Sequence, residues 1–141
     1  MTSPPSKSPV ILVVESEVVT LMNTVDVLIE QGYRVITQTN ADWALATLST
    51  RSDVDLLLTD SYLPRAFDGL TLARIVERRW PGIAIIVTSD QGGPTLGRLP
   101  ATARLLPKPY GSSTLVAVVR EHLAVRWQCD PGRTGPHGTV R

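Results

Sequence analysis

Five short runs rich in branched aliphatic residues recur along the chain: VILVV (Val10–Val14), YRVIT (Tyr33–Thr37), VDLLLT (Val54–Thr59), IAIIVT (Ile83–Thr88) and ARLLP (Ala103–Pro107). Each has the length and composition of a β-strand, and most are apolar nearly throughout, as parallel strands covered on both faces must be. Helical patterns lie between them. From Glu17 to Gln31, Val18, Leu21, Met22, Val25, Leu28 and Ile29 recur at helical spacing, with Ser16 as the expected N-cap and Gly32 at the left-handed position past the end. Asn40 is the expected cap of a second helix through Trp43, Leu45 and Leu48. A third spans about Gly69 to Trp80 and stops at Pro81 and Gly82, and a last one follows Gly111 and Ser112 and runs to about Val125. Strands alternating with helices imply right-handed crossovers and a parallel sheet with helices on both faces.

One connection breaks this rhythm. SDQGGPTLGRLPAT, between the fourth and fifth strands, holds Gly92, Gly93, Pro94, Gly97 and Pro100. Glycine and proline cost about 1 and 3 kcal/mol inside a helix, so an irregular or one-turn segment is expected there. The tail QCDPGRTGPHGTVR is equally rich in breakers. The expected organisation is therefore a disordered segment over 1–8, one folded domain over 9–125 and a flexible tail over 126–141.

With 141 residues, the chain is long enough to bury about 70% of its unfolded surface as one domain. A net charge of +1 with scattered basic residues gives no electrostatic reason to expect a nucleic acid partner. The single cysteine, Cys129, excludes an internal disulfide framework and any multi-cysteine zinc site. MTSPPSKSP lacks the apolar stretch of a signal peptide and VILVV is too short to span a bilayer, so the expectation is a cytoplasmic protein that does not engage a membrane.

In an open parallel sheet, functional residues gather beyond the carboxyl ends of the strands. Here those ends bring together Glu15 (with Ser16 and Glu17), Asp60, Thr88 (with Ser89) and Lys108 before Pro109. Oxygen ligands for a hard cation, a carboxylate nucleophile, and a hydroxyl and an ammonium that donate to phosphoryl oxygens suit phosphoryl transfer. Taken singly, Asp60 reads as a turn residue before Pro64, Lys108 as a solvated surface charge, Thr88 as a strand former and Glu17 as a first-turn helix charge. Their convergence is what favours a site. His122 and His137 have no nucleophile or metal partner in the pattern, and Trp43, Trp80 and Trp127 read as edge or core packing residues.

ILVVESE, LLLTDSYLP followed by DG, IIVTS and PKPY, in that order, resemble the receiver domains of two-component response regulators over about Pro9 to Val125. The resemblance implies a flavodoxin-like three-layer sandwich whose five parallel strands run in the order 2-1-3-4-5, with the helix before the last strand degraded. It further implies a phosphoacceptor at Asp60, a phosphoryl-binding and switch pair in Thr88 and Lys108, and a cis peptide bond before Pro109. Weakly held Mg²⁺ would be bound by Glu15, Asp60 and the backbone carbonyl of Tyr62, with Ser16 in the second place of the acidic pair. The implied partners are a histidine kinase or histidine phosphotransfer protein and an unknown downstream protein. Such a chain is not an enzyme, though it assists its own phosphotransfer and dephosphorylation. No DNA-binding or catalytic pattern follows Val125, which suggests a stand-alone receiver.

Three departures from the family pattern stand out. Ser16 replaces a carboxylate, Pro64 to Asp68 is one residue longer than P-x-x-D-G, and Leu105 stands where an aromatic switch residue is common. They keep a second reading open, a pseudo-receiver that acts as an interaction module with weak or no phosphorylation. A flavin-binding electron carrier on the same fold is the third and least favoured, because ESEVVT presents carboxylates where a phosphate loop needs glycines and hydroxyls. G-x-S-x-G is absent, and GGPTLG fits no nucleotide-binding pattern.

Overall fold

The computed structural model describes residues 8–65, 67–90 and 99–129. Five strands and four helices follow in the order β1 (Val10–Val14), α1 (Val18–Glu30), β2 (Arg34–Gln38), α2 (Ala41–Thr50), β3 (Leu56–Asp60), α3 (Gly69–Arg79), β4 (Ala84–Ser89), β5 (Ala103–Pro107) and α4 (Ser112–Cys129). All pairings are parallel and the sheet order is β2-β1-β3-β4-β5, the flavodoxin-like arrangement implied by the sequence. Of the irregular segment expected between β4 and β5, residues 91–98 lie outside the described residues, as do residues 1–7 and 130–141. Helix α4 continues past the expected end at Val125 to Cys129. Among the described residues, no helix is long and apolar enough to cross a membrane.

The period of two along each strand sorts the core into two layers. Val10, Leu12, Val14, Leu57, Ile85 and Val87 face α2 and α3, where they meet Ala44, Leu48, Leu72 and Val76. Ile11, Val13, Leu56, Leu58, Ala84, Ile86 and Leu106 face α1 and α4, against Leu28, Leu115, Val119 and Leu123. Burying each large aliphatic side chain contributes about 1.5–3 kcal/mol, so these two layers supply most of the drive to fold.

Local signals fix the helix ends. Asn40 caps α2 by accepting from Trp43 N at 2.9 Å, and Asp68 caps α3 by accepting from Thr71 N at 2.9 Å. Gly32, at φ +91°, takes the left-handed position after α1. Two expectations need correction. The N-cap of α1 is Glu17 and not Ser16: the Glu17 carboxylate reaches both the N–H and the hydroxyl of Thr20, which a serine one residue earlier does not. Trp43 is not packed in the core but 61% exposed, whereas Trp80 lies half-buried against the core with the Arg79 guanidinium 4.5 Å over its ring.

Candidate functional site

The layer that faces α1 and α4 runs out into a polar cluster at the carboxyl ends of the strands. Continuing the period of two, Ile11 and Val13 lead to Glu15, Leu56 and Leu58 to Asp60, Ala84 and Ile86 to Thr88, and Leu106 to Lys108. Asp60 is thus the last residue of a strand buried along its length, and its carboxylate leaves the sheet on the same side as the other three. Asp60 and Thr88 are register partners on adjacent strands, which places their side chains next to each other.

The Lys108 ammonium bridges two carboxylates, with Nζ 2.8 Å from Glu15 Oε1 and 3.1 Å from Asp60 Oδ2. Backbone bonds hold the bridge in place: Lys108 N–H donates to Ser89 O at 2.8 Å, Glu15 N–H to Gln38 O at 3.1 Å and Ser61 N–H to Thr88 O at 2.8 Å. The Lys108–Pro109 peptide bond is cis. Thr88 is 2% exposed, and its hydroxyl makes no hydrogen bond among the described residues. Tyr62, with its side chain exposed, donates its N–H to Asp60 Oδ1 at a long 3.4 Å.

One cation between two anions leaves the cluster a charge short of neutral, and the shortfall falls on the most buried member. Glu15 is 4% exposed, and burial raises its pKa above the ordinary carboxylate range, with the Asp60 charge adding to the rise and the Lys108 hydrogen bond opposing it. For Lys108, burial acts to lower the pKa, but the hydrogen bonds it donates to both carboxylates, with their charges, outweigh it and hold the ammonium above its usual value.

Two further features support this end of the sheet. Gly69, the first residue of α3, donates its N–H to Ser61 O at 3.0 Å, and a Cβ there would collide with the Asp60 carbonyl oxygen. The DG pair therefore does more than start a helix. It lets α3 close against the backbone of Asp60 itself. On the other side, the Tyr110 hydroxyl pairs with Thr24 Oγ1 at 2.8 Å across 86 residues of sequence, at the edge of a cleft of about 250 Å³ between α1 and the β5–α4 connection. Burial raises the Tyr110 pKa, with the Thr24 hydrogen bond opposing the rise. Tyr110→Phe keeps the ring but strands the buried Thr24 hydroxyl, and should lower stability by about 1–3 kcal/mol in denaturant unfolding. No sequence pattern points to this pair, because nothing couples two hydroxyls so far apart before the fold is known.

The donors at this site fit a hexacoordinate hard cation poorly. Both Glu15 oxygens are engaged, Oε1 by Lys108 and Oε2 by Glu17 N–H at 3.1 Å. Asp60 is engaged by Lys108 and Tyr62, Ser16 is exposed and uncharged, and Glu17 is turned to cap α1. Among the described residues, no group of three His, Cys, Asp or Glu side chains could hold a metal ion.

A family model described as the response regulator receiver domain matches residues 11–120. No curated protein is significantly similar to the chain. Among solved structures, the signal receiver domain of an HD domain-containing protein from Pseudomonas fluorescens Pf-5 is 25% identical with a TM-score of 0.78, over 90% of this chain and 95% of that one. A CheY-like receiver domain protein from Methanospirillum hungatei JF-1 is 24% identical with a TM-score of 0.79, over 86% of this chain and 98% of that one, and shows likeness of fold. The receiver domain of NtrX from Brucella abortus is 27% identical with a TM-score of 0.72, over 81% of this chain and 98% of that one.

Proposed function

The chain belongs to the response regulator receiver domain family, and from that premise we propose that it accepts a phosphoryl group on Asp60 from a histidine kinase or histidine phosphotransfer protein. Receiver domains are signalling domains and not enzymes in the usual sense, and they typically bind Mg²⁺ at their acidic site. The Asp60 carboxylate attacks phosphorus in line, forming an O–P bond as the P–N bond of a phosphohistidine breaks, and the electron pair returns to the imidazole nitrogen. The Lys108 ammonium and the Thr88 hydroxyl donate to the phosphoryl oxygens where negative charge gathers. The observation that carries this reading is the placement of Asp60 between Lys108 Nζ at 3.1 Å and its register partner Thr88, whose buried hydroxyl has no partner of its own among the described residues.

The modified protein then acts in the cytoplasm through contacts with a downstream protein, without nucleic acid or membrane. In its test, the chain is incubated with a small phosphoramidate donor and intact mass is measured. Wild type should gain one phosphoryl group and Asp60→Asn none. Equal gain by both would remove Asp60 as the acceptor. A second reading, an interaction module with slow or no phosphorylation, is favoured by Ser16, which leaves the site one carboxylate poorer than the family pattern.

A further inference from the structure

We propose that in this chain Lys108 does the electrostatic work of a divalent cation, and that the site holds no Mg²⁺ in the millimolar range because Ser16 and Glu17 withhold the carboxylates a cation needs. Three acidic residues, Glu15, Glu17 and Asp60, lie at the carboxyl ends of β1 and β3, but only Glu15 and Asp60 face the cluster. Glu17 is committed elsewhere: its Oε1 accepts from Thr20 N–H at 2.9 Å and from the Thr20 hydroxyl at 2.7 Å. Its neighbour Glu15 takes the Glu17 N–H on one oxygen and Lys108 on the other.

A cation entering here would have to draw Glu15 and Asp60 away from an ammonium that is already within hydrogen-bonding distance of both. The displaced Lys108, with only 18% of its side chain exposed, would then lie beside a like charge in a partly desolvated cleft. With a net charge of one unit negative, the two carboxylates and one ammonium attract a divalent ion far less than three carboxylates would.

The proposal rests on the reading of Asp60 as phosphoacceptor for its functional meaning, but its test does not. The full chain, labelled with ¹⁵N, is titrated with MgCl₂ through the millimolar range while the amide signals of Glu15, Asp60 and Lys108 are followed. Wild type and Ser16→Asn should show no saturable shift. Ser16→Asp should saturate, with affinity at least about tenfold tighter than any wild-type response. Ser16 is exposed and precedes the cap, so both variants should fold, and their thermal unfolding midpoints check it. Saturable binding by wild type overturns the proposal, and so does an Asp variant that binds no better than Asn. Phosphorylation is scored separately, by intact mass in the presence of a chelator. Reaction at Asp60 neither there nor with added MgCl₂ overturns the phosphoacceptor reading and leaves the metal result standing, whereas reaction with MgCl₂ alone overturns the proposal that Lys108 does the cation's work.

Discussion

Lys108→Ala is expected to destabilise the domain by about 3 kcal/mol, the lower end of the range for breaking a buried charge cluster by removing one partner. The mechanism is desolvation without compensation. Glu15 is 4% exposed and the Asp60 side chain 13% exposed, so losing the ammonium leaves two carboxylates facing each other with little water between them. Denaturant unfolding of wild type and variant should show the midpoint shift with little change in slope. Lys108→Met, which keeps most of the volume, should lose nearly as much. Adding Glu15→Gln to Lys108→Met should recover a large part of the loss, because the remaining carboxylate then has a neutral neighbour.

The pH dependence follows from the two shifts. Glu15 has its pKa raised in the folded state, so its contribution is fully present below the unfolded value of about 4.3 and is lost as pH rises through the folded value. Without Lys108 that folded value rises further, so acid should relieve the variant more than wild type and narrow the gap between them. Lys108 is also raised, so what the ammonium contributes is fully present below about pH 10.4 and disappears as pH climbs through its folded value. The gap between wild type and variant should therefore be widest from mildly acidic to mildly alkaline pH, and close at both ends. A gap independent of pH would mean that packing of the lysine stem, and not its charge, holds this end of the sheet.

Much of this site was legible in the sequence because strand periodicity is simple. Once five apolar runs are read as parallel strands, Asp60 must end β3 and Lys108 must follow β5, and the sheet order then brings Glu15, Asp60, Thr88 and Lys108 to one end. What periodicity could not reveal is which of several competing partners a polar side chain takes. Ser16 and Glu17 are both good capping residues before the same helix, and the longer carboxylate captured two donors of Thr20. That local competition removed one oxygen ligand from the crevice. Trp43 was equally opaque, since an aromatic residue in the first turn of a short helix packs inward or outward according to a neighbour that the sequence does not identify. The Lys108 bridge was legible as proximity but not as geometry: that one ammonium would engage both carboxylates depends on backbone bonds to Ser89 and Gln38.

Gly69→Ala should be the most damaging single-methyl change near the site, costing about 3 kcal/mol or more, at or above the top of the usual range for overpacking. The added Cβ would overlap the Asp60 carbonyl oxygen and lie 2.8 Å from both the Asp60 carbonyl carbon and Thr59 Oγ1. Two of those three atoms are backbone at the end of a central strand, and Thr59 Oγ1 already donates to the same carbonyl at 3.0 Å, so no flexible side chain can yield. Either α3 withdraws, breaking the Gly69 N–H bond to Ser61 O and the packing of Leu72 and Val76, or the end of β3 moves and carries the Asp60 carboxylate away from Lys108. Thermal unfolding measures the first outcome, and the amide signals of Asp60 and Lys108 report the second. Gly111→Ala is the matched control, because a Cβ there meets nothing within 4 Å and should cost under about 1 kcal/mol as a helix-end change. If Gly69→Ala is as mild as the control and leaves the Asp60 and Lys108 signals in place, then α3 does not close against the Asp60 backbone in solution. If stability falls but those signals stay fixed, the glycine serves the docking of α3 alone. Only a variant that loses stability and shifts both signals would tie the position of the Asp60 carboxylate to the missing side chain at residue 69.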